Sequence, residues 1–223
     1  MRELIKQALD AVAWSFDASM AQKCEVYLKE LLFWNRKVGL VKMESVDELV
    51  FRHLYDSLAP LPLLEASGLL PGPGSGVVDI GSGGGFPAIP LALALPRYEY
   101  TLVERSGRKA GFLQNAVALL GVADRVHILQ VDAETLGARW QLATCRAFRP
   151  VNEALPILAG RLVPGGSAVI YAGTRKLLQS QLSELRQRPE GDLRIVGIPD
   201  SGNLLKGERN LLVFTDRSPS SFA

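Results

Sequence analysis

The stretch Val77-Val78-Asp79-Ile80-Gly81-Ser82-Gly83-Gly84-Gly85-Phe86-Pro87 decides how the chain is read. A short apolar run enters a cluster of glycines, and a helical pattern over Phe86–Leu95 follows. Glycine has no Cβ to hold a ligand away from the backbone. In open parallel sheets such ligands lie at the carboxyl ends of the strands. Counted from Gly81 the spacing is G-x-G-x-G, while Gly83-x-Gly85-x-x-Ala88 fits the dinucleotide pattern. The glycines alone do not choose the ligand.

Downstream, β-rich runs alternate with helical ones. Strands are predicted at Val77–Ile80, Tyr98–Glu104, Val126–Asp132, Leu142–Phe148 and Ser167–Gly173, with helices at Arg108–Leu120, Asn152–Leu162 and Arg175–Arg188. Such alternation implies a parallel sheet wrapped by helices. The last two runs, Leu193–Pro199 and Arg209–Asp216, have only a loop between them and are expected to pair antiparallel. Upstream of the glycines the chain reads helical. Apolar residues recur at helical spacing from Leu4 to Ala13, from Cys24 to Trp34, and over Ser45–Leu64, where Ser45 and Glu48 form a capping-box pattern. Pro71 to Gly76 is a run of breakers. The expected division is a helical extension over 1–70 and a ligand-binding domain over 77–217.

Three acids narrow the ligand. Asp79 precedes the first glycine, Glu104 ends the second strand run, and Asp132 ends the third, with Ala133 and Glu134 just beyond. A pyrophosphate is repelled by an acid so close to the loop. S-adenosylmethionine carries no phosphate, has a cationic amine and a sulfonium, and offers a ribose diol that can donate to Glu104. Its adenine amino group can donate in the region of Asp132 to Glu134. Gly81, Gly83, Gly85 and Phe86 complete the expected cofactor set, with Arg146 at the end of the fourth strand.

These residues sit in blocks that resemble the ribosomal RNA small-subunit methyltransferase G family, also called glucose-inhibited division protein B. The blocks are Trp34-Asn35 with Arg52-His53-Leu54-Tyr55-Asp56-Ser57-Leu58, then Asp79 to Pro90, then Arg146-Ala147-Phe148 with Gly207-Glu208-Arg209. The resemblance implies a Rossmann-like class I methyltransferase of α/β class. Its expected form is a mostly parallel seven-stranded sheet, a C-terminal antiparallel hairpin and a helical N-terminal extension. It also implies methyl transfer from S-adenosylmethionine to N7 of a guanine in 16S ribosomal RNA. The family more often has Asn-Leu-Thr at 39–41, Arg at Asp132 and Lys-Gly at 172–173.

N7 carries a free lone pair, so the chemistry needs alignment rather than a base. His53 and Asp56, three apart on one helical face, are candidates to contact the RNA: Asp56 as acceptor for the guanine N1 and N2 protons, His53 as donor. Arg146 is the candidate for a phosphate, a base edge or the methionine carboxylate. Arg105, Arg108, Lys109 and Arg149 are candidates for a phosphate-binding rim. Cys145 lacks a following proline, and no Asn/Asp-Pro-Pro-aromatic loop follows the fourth strand, which disfavours cytosine C5 and exocyclic amines as targets.

Composition sets outer bounds. The 223 residues are 48% hydrophobic and 22% charged with a net charge of +2, which excludes a chain that grips nucleic acid by bulk charge. Cys24 and Cys145 form no metal spacing or disulfide framework, and no signal peptide or membrane span is visible. A cytoplasmic monomer without metal is the expectation. Two other readings stay open at this level: a ribosome-assembly or RNA-binding factor that keeps the cofactor pocket, and an NAD-dependent oxidoreductase using the shifted glycine frame.

Overall fold

The computed structural model describes residues 1–72, 74–200 and 202–217; Pro73 in the breaker run and the Ser/Pro tail after Arg217 lie outside them. The sheet has seven strands in the order β3-β2-β1-β4-β5-β7-β6. They are β1 (Gly76–Ile80), β2 (Glu99–Val103), β3 (Val126–Leu129), β4 (Trp140–Arg146), β5 (Leu162–Ala172), β6 (Gly191–Gly197) and β7 (Asn210–Asp216). The first five run parallel, and β7 pairs antiparallel with both β5 and β6. The chain order reverses between β1 and β4, so the sheet opens a crevice at their carboxyl ends.

Strand residues alternate strictly between two cores. Val77, Leu102, Leu142, Val169, Leu211 and Val213 face one apolar cluster, while Val78, Val103, Ala143, Ala168, Leu212 and Phe214 face the other. Helices α8 (Val151–Ala159) and α9 (Arg175–Ser183) cover the second face. The first face is covered by α6 (Ala88–Ala94) and α7 (Gly107–Leu119), and by the N-terminal helices α1 (Arg2–Asp10) and α2 (Met20–Val38). A change of secondary-structure type does fall near residue 70, yet Ile5, Tyr27, Leu54 and Leu64 share one buried cluster with the sheet.

Two expected helices come out differently. Over Ser45–Leu64 the chain is not one helix. It runs through α3 (Val46–Leu49), a wide π-type turn over Val50–Tyr55, α4 (Asp56–Leu58) and, past Pro60, α5 (Leu61–Ala66). A π turn inserts a residue into the helical ladder and re-aims the side chains on it; here those include Arg52 and His53. The cap at Ser45 forms as expected, its side chain accepting from the Glu48 amide at 3.1 Å, but the Glu48 carboxylate takes the Glu44 amide. The predicted helix Arg175–Arg188 stops at Ser183, short of Pro189. Gly39 ends α2 in the left-handed conformation at φ 67°. That conformation favours glycine at the residue that closes a helix.

Helix α2 lies against α7 through aromatic contacts. Phe112, fully buried, sits 6.4 Å from Tyr27 and 6.0 Å from Trp34 between ring centroids. Phe112→Ala is expected to cost about 3–5 kcal/mol, as truncation of a buried aromatic does. Urea unfolding measures this, and a loss below about 1 kcal/mol would show that the two helices are not held by this contact.

Candidate active site

Strand β1 delivers the glycine turn into the crevice. The amides of Gly81 and Ser82 both donate to the Val103 carbonyl, at 2.9 and 3.0 Å, so the turn is pinned to the end of β2. Gly81 adopts φ +72°, and a Cβ there would sit 2.3 Å from Phe148. Backbone conformation and space therefore both demand glycine at this position. The Tyr27 hydroxyl donates to the Gly84 carbonyl and ties the loop to α2. A cleft of about 690 Å³ opens over the turn, lined by Gly81, Gly83, Phe86, Glu104, Asp132, Ala133 and Arg146 among others.

Glu104 follows β2 with both carboxylate oxygens anchored. Oε2 accepts from the Gly83 amide at 3.0 Å and Oε1 from the Ser106 amide at 2.8 Å. Each oxygen keeps a lone pair, which suits a pair of vicinal hydroxyls. Asp132 lies three residues past the end of β3 rather than on it, and its side chain caps a single 3₁₀ turn by accepting from the Glu134 amide at 3.1 Å. That turn carries Glu134 away from the cleft. Its side chain is 57% exposed and pairs with Arg149 at 2.7 Å, so of the stretch expected at the adenine only Asp132 and Ala133 line the cleft.

Asp79 and Gly85 lie behind the lining. Gly85 packs against Ile89, to whose Cδ1 an added Cβ would come within 2.6 Å. Asp79 is 1% exposed. It pairs in register with Thr144 on β4, whose hydroxyl donates to Oδ1 at 2.7 Å, while Oδ2 is buried without a hydrogen bond. Burial raises its pKa to about 7, against the Thr144 hydrogen bond, the neighbouring Ser82 hydroxyl and the Arg146 charge, with the Glu104 charge adding to the rise.

Arg146, at the end of β4, gathers the far wall. Its guanidinium donates to Asp56 Oδ2 at 3.2 Å, to the Arg52 carbonyl at 3.2 Å and to His53 Nδ1 at 2.6 Å. It also lies 5.1 Å from the centroid of the Phe86 ring, on which His53 stacks at 5.3 Å. An arginine only donates, so His53 Nδ1 accepts and the ring proton sits on Nε2, facing the Lys42 carbonyl at 3.2 Å. Burial first and the Arg146 charge second depress the His53 pKa to about 4, which keeps the ring neutral. Both ring nitrogens are thus engaged within the protein. Asp56 is 4% exposed and paired with Arg146, and Arg209 Nε approaches its other oxygen at 3.9 Å. Burial outweighs the two arginines and raises the Asp56 pKa.

Arg146 also belongs to a second, adjoining cleft with Asp56, Tyr171, Ala172, Gly173 and Arg209. Sequence spacing assigns Arg209 no role, because its partner Asp56 is distant in the chain. Of the expected rim, Arg105 and Lys109 line the main cleft, and Arg149 lines it while bound to Glu134. Cys145 is fully buried with its thiol pKa pushed well up by burial, which makes it an inert core residue.

The donor set fits S-adenosylmethionine: an anchored carboxylate at the second strand, a close-approach glycine turn, and a buried acid beneath that turn with an unpartnered oxygen. With the strand order, these features define a class I S-adenosylmethionine-dependent methyltransferase. Magnesium protoporphyrin IX methyltransferase from Synechocystis PCC 6803, solved with bound SAM, shares the fold at a TM-score of 0.56 and 17% identity, over 90% of this chain and 99% of that one. The chain belongs to the rRNA small subunit methyltransferase G family, whose model matches residues 20–191. It is 33% identical over 185 residues to the ribosomal RNA small subunit methyltransferase G of Halorhodospira halophila, covering 82% of this chain and 83% of that protein. The protein of the same name from Cellvibrio japonicus is 30% identical over 97% of both chains.

The Asp79 shift has a thermodynamic consequence. The folded protein holds this proton to higher pH than the unfolded chain, so its stabilising contribution is complete below about pH 4 and is lost as pH rises toward about 7. Without cofactor, Asp79→Asn is expected to gain stability relative to wild type across that interval and to level off above it. Urea unfolding of both proteins over the range measures the difference, and a constant offset would contradict the buried, proton-holding acid.

Proposed function

We propose that the protein transfers a methyl group from S-adenosylmethionine to N7 of a guanine in 16S ribosomal RNA, acting as a monomer in the cytoplasm. Family membership supports the RNA of the small subunit as the substrate. One observation carries the ring-nitrogen target: at the mouth of the cleft, Arg146 occupies both groups that would serve as a base. It takes the lone pair of His53 Nδ1 and pairs with Asp56. A site that must first remove a proton from its acceptor needs such a group free. N7 has no proton to lose.

When bound, S-adenosylmethionine supplies an electrophilic methyl group on a sulfonium. Glu104 would hold the ribose diol and Asp132 the adenine amino group, with Gly81 and Gly83 allowing close approach to the backbone. Asp79 braces the turn from behind, its carbonyl accepting from the Ser82 hydroxyl at 3.0 Å, and would ionise as the cationic amine of the cofactor arrives. Phe86, against which the hydrogen-bonded pair of His53 and Arg146 packs, walls the cleft and excludes water. The guanidinium of Arg146, held on three sides, keeps its remaining donors for the target guanine or its phosphate. Asp56 and His53 act by fixing that guanidinium. Such positioning can supply roughly 7–11 kcal/mol of a barrier.

The test is transfer of labelled methyl to small-subunit RNA or particles from a strain lacking the gene, followed by chain scission selective for N7-methylguanine. One labelled guanine is expected. Label on another atom, or none on either substrate, would overturn the proposal. Cofactor binding without transfer, in vitro or in cells, would favour the assembly-factor reading instead.

A further inference from the structure

One face of α2 points away from the core, and the acid at its edge, Glu25, is paired with Lys29 at 2.8 Å. Gln22, Val26, Lys29, Phe33, Arg36 and Lys37 are its exposed residues, and their spacing places all of them on one stripe. Phe33 is 60% exposed, with Lys37 Nζ 5.3 Å from its ring centroid. The stripe leads to the active cleft. Trp34 meets Phe112 while Glu30 accepts from Asn115, so α2 and α7 run antiparallel, and the last turn of α2 lies beside the first turn of α7. That turn brings Arg108 and Lys109, just after Arg105. Beyond Gly39 the chain reaches Lys42, which lines the cleft together with Arg105 and Lys109.

None of Arg36, Lys37, Lys42, Arg105, Arg108 and Lys109 is in an ion pair among the described residues. The helix dipole explains Arg36 and Lys37, which favour the C-terminal turn of α2. It does not explain Arg108 and Lys109, which stand in the first turn of α7 where cations are disfavoured. Nor does it explain an aromatic ring left in water beside them. Cations spaced along a track with an exposed aromatic face match the chemistry of a single-stranded nucleic-acid backbone and its bases.

We propose that this strip binds RNA flanking the target nucleotide, its phosphates on the six cations and one base on Phe33. The inference rests on the RNA-methylating reading and adds where the flanking strand runs. It is tested with Arg36→Ala/Lys37→Ala/Arg108→Ala and with Phe33→Ala, none of which lines the cofactor cleft. The probe is small-subunit ribosomal RNA from a deletion strain, with affinity followed against salt. Arg194→Ala, an exposed residue on β6, is the control.

The triple variant is expected to bind RNA at least tenfold more weakly and to lose about two from the slope of log affinity against log salt, at about 0.7 per phosphate contact on a single strand. KM for RNA should rise more than kcat falls, and S-adenosylhomocysteine affinity should stay that of wild type. Phe33→Ala should weaken binding severalfold with the slope unchanged. Wild-type affinity and slope in the triple variant, with wild type methylating the RNA, would overturn this proposal alone. A wild-type protein that neither binds nor methylates the RNA would overturn the underlying reading and this one with it.

Discussion

The structure turns on the Arg146 guanidinium. It is mounted at the end of a central strand, yet its partners Arg52, His53 and Asp56 come from a segment some ninety residues earlier in the chain. One charged group thereby ties residues 52–56 to the carboxyl end of β4. It also stacks on Phe86, which follows the glycine turn. Cofactor turn, helical lip and acceptor cleft share this point. Removing one partner of a buried ion pair strands the other charge, a loss of about 3–5 kcal/mol.

That arrangement explains the backbone around it. Residues 50–55 form a π turn where the apolar spacing reads as ordinary helix. Apolar periodicity reports which face is buried and is blind to one inserted residue. The insertion is held by tertiary contacts: Arg146 on the Arg52 carbonyl, the Tyr171 hydroxyl donating to the Ser57 carbonyl at 3.0 Å, and Asp56 between two arginines. The same contacts convert His53 from an expected RNA donor into a neutral ring with both nitrogens spent inside the protein.

What the sequence revealed was local. Strand, glycine turn and helix lie within a few residues, and the alternation of apolar residues along each strand separates the two cores without reference to any distant contact. Glu104 could be placed because it follows its strand directly. Asp132 and Glu134 were harder, since the chain continues three residues past β3 and then turns once, which sends one acid inward and the other out to Arg149. Arg209 carried no signal beyond its block, because its partner comes from the other end of the chain. The near-neutral net charge likewise hid a division: acids gather at the cofactor turn, and Arg36, Lys37, Arg105, Arg108 and Lys109, without ion pairs among the described residues, gather along the α2–α7 lip.

On the proposed mechanism, Asp56 acts on catalysis through Arg146 and not through the RNA. A double-mutant cycle with Arg146→Met and Asp56→Asn, read as kcat with saturating RNA and cofactor, tests it most directly. Each single change is expected to lower kcat by roughly 10²–10³, the scale of losing a preorganised donor. The double variant should then be no slower than Arg146→Met alone, because residues acting as one unit are not additive. Two losses that multiply would show that Asp56 and Arg146 work independently, and would overturn that role for Asp56.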